Sequence, residues 1–125
     1  MKDHRPINLD LRTLKFPMTA IASILHRLSG VFLFLMIPLV LLSLQYSLQS
    51  QGDFLYVKSL YSLAIPKIIL WLLLSSLAYH ALAGIRHLLM DVGLGEHLRT
   101  ATVSAYLVTV LGVVLFILIG VWLWV

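Results

Sequence analysis

Two short stretches hold most of the side chains that could do chemistry among apolar neighbours. SLAYHALAGIRHLLMD, residues 76–91, is long enough to be helical and carries His80, Arg86, His87 and Asp91. SILHR, residues 23–27, carries Ser23, His26 and Arg27. Imidazole ligates iron and other transition metals, and it can also pass protons. A hydroxyl and a guanidinium four residues apart share one helical face, where they suit a carbonyl that gains charge or an anionic carboxylate. Such groups are costly inside a bilayer and ordinary outside one, so their chemistry depends on where the chain puts them.

The composition answers that first. Of 125 residues, 61% are hydrophobic and only 11% are charged, whereas about a quarter of a soluble domain is charged. This is a membrane protein. Uncharged runs extend over 28–52, 68–85 and 100–125, and roughly 20 apolar residues cross the hydrocarbon. Three spanning helices are expected, roughly 18–48, 64–91 and 101–125, forming one all-α transmembrane domain over 1–125 behind a polar N-terminal segment, 1–17. The middle span reaches full length by including Lys67 and Arg86, which snorkel to the interfaces.

Local signals set the ends. Pro17 suits a helix start, and Pro38 is a potential kink. Gly52 and Asp53 read as turn formers in a linker, 49–62, whose Tyr56 and Tyr61 suit an interface. Pro66 opens the second span. Gly93 and Gly95 end it, and Thr100 or Thr102 is expected to cap the third. That last span is uncharged, offers Ala105, Gly112 and Gly120 as packing positions, and ends on the belt residues Trp122 and Trp124. No cleavable signal is evident, because the first apolar run starts late and is too long.

Charge sets the expected orientation. Lys2, Arg5, Arg12, Lys15, Arg27, Arg86 and Arg99 fall on one side, and Lys58 and Lys67 on the other. The positive-inside rule then puts the N-terminus in the cytoplasm and the C-terminus on the periplasmic side. The same placement accounts for the net charge of +4 without nucleic acid. With no cysteine in the chain, disulfides, cysteine-ligated iron–sulfur clusters and covalent haem attachment are excluded for this polypeptide. Any metal would be held by histidine.

His80 lies about 10 Å deeper than His87 at helical rise, so it is intramembrane. It is either a neutral histidine hydrogen-bonded to a neighbouring helix or a metal ligand. Gly84 follows on the same face, with Ala81 and Ala83 nearby, and such clearance suits either a flat macrocycle or plain helix packing. His87 sits at the interface, where solvation is the simpler reading, and Asp91 could pair with Arg86 or His87. Ser23 and Arg27 are either a ligand-binding pair or an anchoring arginine beside an incidental serine. His26 could reach an anionic group alongside Arg27. A proton-relaying transporter or assembly protein is disfavoured, because Asp53, Asp91 and Glu96 all lie at or beyond the span ends.

RPINLDLRTLKFPMTAIASILHRLSGV followed by AYHALAGIRHLLMDVG resembles the cytochrome b556 membrane-anchor subunits of bacterial succinate dehydrogenase, over nearly the whole chain. The specific features are the R-P-x-N/S-L-D-L opening, S-I-L-H-R-x-S-G and H-x-x-x-G-I-R-H-x-x-x-D. The resemblance implies a multi-pass subunit of the bacterial inner membrane that performs no succinate chemistry itself. It implies a haem b shared with a second hydrophobic anchor subunit, and a ubiquinone site near an iron–sulfur subunit that is fed by a flavoprotein. The family's axial histidine falls on His80, its quinone-site residues on Ser23 and Arg27, and its propionate contacts on His26 and Arg27. The alternative is a haem-free quinone-reacting anchor of the fumarate reductase type, in which His80 is a core residue.

Overall fold

The computed structural model describes residues 16–125, so most of the polar N-terminal segment, 1–15, lies outside the described residues. Four helices follow: α1 Met18–Ser47, α2 Gln51–Leu60, α3 Ala64–Asp91 and α4 Leu98–Trp124. Three of them, α1, α3 and α4, are long and apolar enough to cross a membrane. They pack on one another as an up–down–up bundle, while α2 packs on α1.

The bundle is held by small side chains. Its buried residues are Ala22, Ser29, Ser75, Ala83, Ala101, Ala105, Val108 and Gly112, whereas leucines, isoleucines and phenylalanines such as Leu28, Phe34, Leu77 and Leu107 point outward. That is the arrangement lipid imposes: tails are as apolar as leucine, so helices associate by close backbone approach and directional bonds. Ala105 is fully enclosed. Gly112 lets α4 reach the Tyr79 ring, where an added Cβ would stand 2.5 Å from Cδ2. Tyr79 donates its hydroxyl to the Ala22 carbonyl at 3.2 Å, so one side chain ties all three spans. At the other end, Gly120 admits Trp71, whose indole N–H donates to the Phe116 carbonyl at 2.8 Å.

α3 closes as the two glycines predicted. Gly93 takes φ +83°, its N–H bonds the Met90 carbonyl, and the Leu94 N–H bonds the Leu89 carbonyl. These two bonds are the Schellman pair that satisfies a helix C-terminus. α1 runs unbroken through Pro38.

Two expectations are corrected. The linker is not a turn around Gly52 and Asp53, because both lie inside α2. Ser50 caps that helix by accepting from the Asp53 N–H at 3.1 Å, and its hydroxyl donates to the Asp53 carboxylate at 2.5 Å. Neither Thr100 nor Thr102 caps α4. His97 stands at its N-cap, and Thr102 donates to the Leu98 carbonyl within the helix. A threonine that finds an acceptor four residues back belongs to a helix already begun.

Candidate functional site

The first third of α1 and the last half of α3 meet at the same end of the bundle, which brings His26 and His80 together. Their rings stack with centroids 4.2 Å apart and planes 24° from parallel. His87 lies one step further out, 6.2 Å from His26 between centroids. Gly84 lies beside this pair, and a Cβ there would meet His26 Nε2 at 3.5 Å, an ordinary contact. The clearance expected along His80 and Gly84 is thus filled in part by the His26 ring. Of the other two small residues, Ala83 is buried in packing and Ala81 is exposed.

The Nδ1 edge of His80 is fixed by α1. It lies 3.0 Å from Ser29 Oγ and 3.2 Å from the His26 carbonyl oxygen. A carbonyl only accepts, so the contact with the His26 oxygen is a hydrogen bond in the tautomer that carries its proton on Nδ1. Ser29 gives its own hydroxyl hydrogen to that same carbonyl at 2.7 Å, which turns the serine lone pairs toward Nδ1–H. The tautomer that satisfies this network leaves Nε2 unprotonated, with a free lone pair. Nε2 has no hydrogen-bond partner among the described residues, and it is not among their enclosed unpaired side-chain atoms, which are His26 Nε2 and Ser75 Oγ. Beside His80 runs an open groove of about 450 Å³, otherwise lined by apolar residues including Gly30, Leu33, Phe34 and Leu73.

Ser23 and Arg27 share the α1 face that carries His26 and Gly30, at the same end. Ser23 is half-buried and Arg27 exposed. The structure does not join them to the histidine pair by any hydrogen bond among the described residues, so they border the site rather than enter it.

Arg86 behaves differently from a snorkelling residue. Its Nε donates to Ser104 Oγ and its Nη2 to the Ala101 carbonyl, both at 2.9 Å, clamping α3 to α4. Among the described residues Asp91 therefore faces His87, at 3.9 Å, with both side chains more than half exposed. Ser29 was not singled out from the sequence. Its signal was its position three residues after His26, one helical turn along a face that carries polar groups.

These observations define a class: a three-span helical membrane subunit with an intramembrane histidine held across two helices. Residues 1–119 match the succinate dehydrogenase/fumarate reductase transmembrane subunit family, and the chain belongs to that family. It is 41% identical over 125 residues to the succinate dehydrogenase cytochrome b556 subunit of Coxiella burnetii, covering 99% of this chain and all of the relative. The cytochrome b556 subunits of Rickettsia bellii and Paracoccus denitrificans are 33% and 32% identical over 117 residues, covering 94% of this chain and 91% and 90% of theirs.

Proposed function

We propose that this chain is the membrane-anchor cytochrome b subunit of a succinate:ubiquinone oxidoreductase, with His80 as one axial ligand of a haem b and Ser23 and Arg27 as its contribution to ubiquinone reduction. The observation that carries the reading is the His80 Nδ1 edge set against the His26 carbonyl oxygen and Ser29 Oγ. A ligating histidine ordinarily donates its second ring N–H to a carbonyl or carboxylate, which orients the ring and leaves the other nitrogen free for the metal. His80 has that arrangement with the His26 carbonyl. The relatives' name, cytochrome b556 subunit, supports the same reading.

Residues fit the group on chemical grounds. The open apolar groove beside His80 suits the flat hydrophobic body of a porphyrin, and the exposed Arg27 would meet a propionate, whereas His26 would have to turn its enclosed Nε2 out of the stack to do the same. His26 leans on His80 face to face, and a second histidine to hold the haem would come from the other anchor subunit. When bound, the haem supplies a one-electron store beside the quinone path. This chain's residues do the remainder: Ser23 donates a hydrogen bond to a quinone carbonyl, and Arg27 supplies the cation that favours charge developing there in a poorly hydrated site. Succinate oxidation belongs to the flavoprotein and iron–sulfur partners. The N-terminus and the loop near Glu96 face the cytoplasm, and Val125 faces the periplasm.

The test is a reduced-minus-oxidised optical spectrum of membranes containing the complex, with wild-type His80 and with His80→Leu. A b-type spectrum that disappears in the variant, while three-span insertion persists, is expected. A wild-type spectrum in His80→Leu overturns the assignment, and no haem in either sample favours the haem-free anchor.

A further inference from the structure

Ser29 is buried, 9% exposed, on the α1 face toward α3, and its hydroxyl has two tasks at once. It donates to the His26 carbonyl at 2.7 Å and stands 3.0 Å from His80 Nδ1. The next residue, Gly30, also borders the ring: a Cβ there would lie 3.0 Å from His80 Cε1. A serine that bonds the ring edge and a glycine that clears the adjoining carbon are consecutive on one helix. Together they set both the rotation of the imidazole and how firmly its N–H is held.

Resting on the ligand reading of His80, we infer that Ser29 is a positioning residue that tunes the electron affinity of the haem through the His80 N–H. A ring N–H that gives a strong hydrogen bond leaves more electron density on the opposite nitrogen, which makes the ligand a better donor and favours the oxidised metal. Nδ1–H here faces two acceptors, Ser29 Oγ and the His26 carbonyl. Removing the serine oxygen leaves one, at the longer distance. The ligand then donates less, and the reduced metal is favoured. Gly30 acts on the same ring by a different route, since a Cβ there stands 3.0 Å from Cε1 and the imidazole must give by a few tenths of an ångström.

The experiment is a redox titration of the haem in the purified holocomplex, with haem content and low-spin electron paramagnetic resonance recorded on the same samples. Ser29→Ala is expected to retain haem, to move the midpoint potential in the positive direction and to shift the low-spin signal. Ser29→Thr, which keeps a hydroxyl, is expected to return both toward wild type. Ser29→Cys is slightly larger and accepts weakly, so it should move the potential in the same direction as alanine, and it serves if alanine does not accumulate. Gly30→Ala should shift the low-spin signal independently. Wild-type potential and signal in Ser29→Ala or Ser29→Cys at full haem content overturn the role of Ser29 while leaving His80 as ligand. A wild-type spectrum in His80→Leu overturns the underlying reading instead, so the two failures are distinguishable.

Discussion

His26 lies ring to ring on His80, 4.2 Å between centroids, and its backbone carbonyl also meets the Nδ1 edge of the same ring. The side chain and the main chain of one residue therefore act on His80 separately. His26→Leu is expected to keep haem, because the carbonyl and Ser29 remain, whereas His80→Leu loses it. Haem content per complex in the two variants checks this, and the reverse outcome would make His26 the ligand.

Ser23→Ala removes one hydrogen bond to the quinone, about 1 kcal/mol net and so roughly a five-fold loss of quinone reduction. Electron transfer from succinate to an artificial acceptor that draws on the soluble subunits should be unchanged. The ratio of the two activities, in membranes of normal haem content, is the measurement. An unaltered ratio would make Ser23 a helix-start residue only.

Arg86→Leu leaves Ser104 and the Ala101 carbonyl without the guanidinium that bridges them. A loss of about 1–2 kcal/mol in bundle stability is expected, in the range of interhelical hydrogen bonds in membranes. Thermal retention of the folded complex in detergent reports it. Arg86→Lys should recover little, since one ammonium cannot reproduce a planar two-point contact.

Gly112→Ala places a carbon 2.5 Å from Tyr79 Cδ2. The ring must move, and with it the bond to the Ala22 carbonyl, at a cost of about 1–3 kcal/mol for overpacking. Lower steady-state levels of the complex in the membrane are the readout, and an unchanged level would show that α4 shifts freely.

The pairing of His87 and Asp91 at 3.9 Å is exposed on both sides. His87→Ala or Asp91→Asn should change stability by no more than about 0.5 kcal/mol. Melting at two salt concentrations tests whether the pair contributes.

The spans were legible because their signal is long: an uncharged run of bilayer length overrides local detail. The end of α3 was legible because Gly93 and Gly95 have few other uses there. α2 was missed because its ten residues are too short for periodicity to declare itself, and Gly52 and Asp53 are also turn residues. The clue lay in Ser50 three residues before Asp53, a helix-start pattern. Within the site, the sequence identified His80 as intramembrane but left open which helix would meet it. Ser29 and Gly30 acquire meaning only when α1 is laid beside α3, and the lateral reach of Arg86 depends on Ser104, eighteen residues on. Spacing along one helix reveals what shares a face, not what faces it.

The small-residue interior has a thermal consequence. Separating α1, α3 and α4 within the bilayer would turn Ala22, Ala83, Ala101 and Ala105 toward hydrocarbon tails rather than water. The large heat-capacity change of ordinary unfolding comes from hydrating apolar surface, and that hydration does not occur here. The free energy of separating the spans should therefore run almost straight with temperature. A bundle of this kind has an upper melting limit but lacks the lower one that curvature gives to soluble domains.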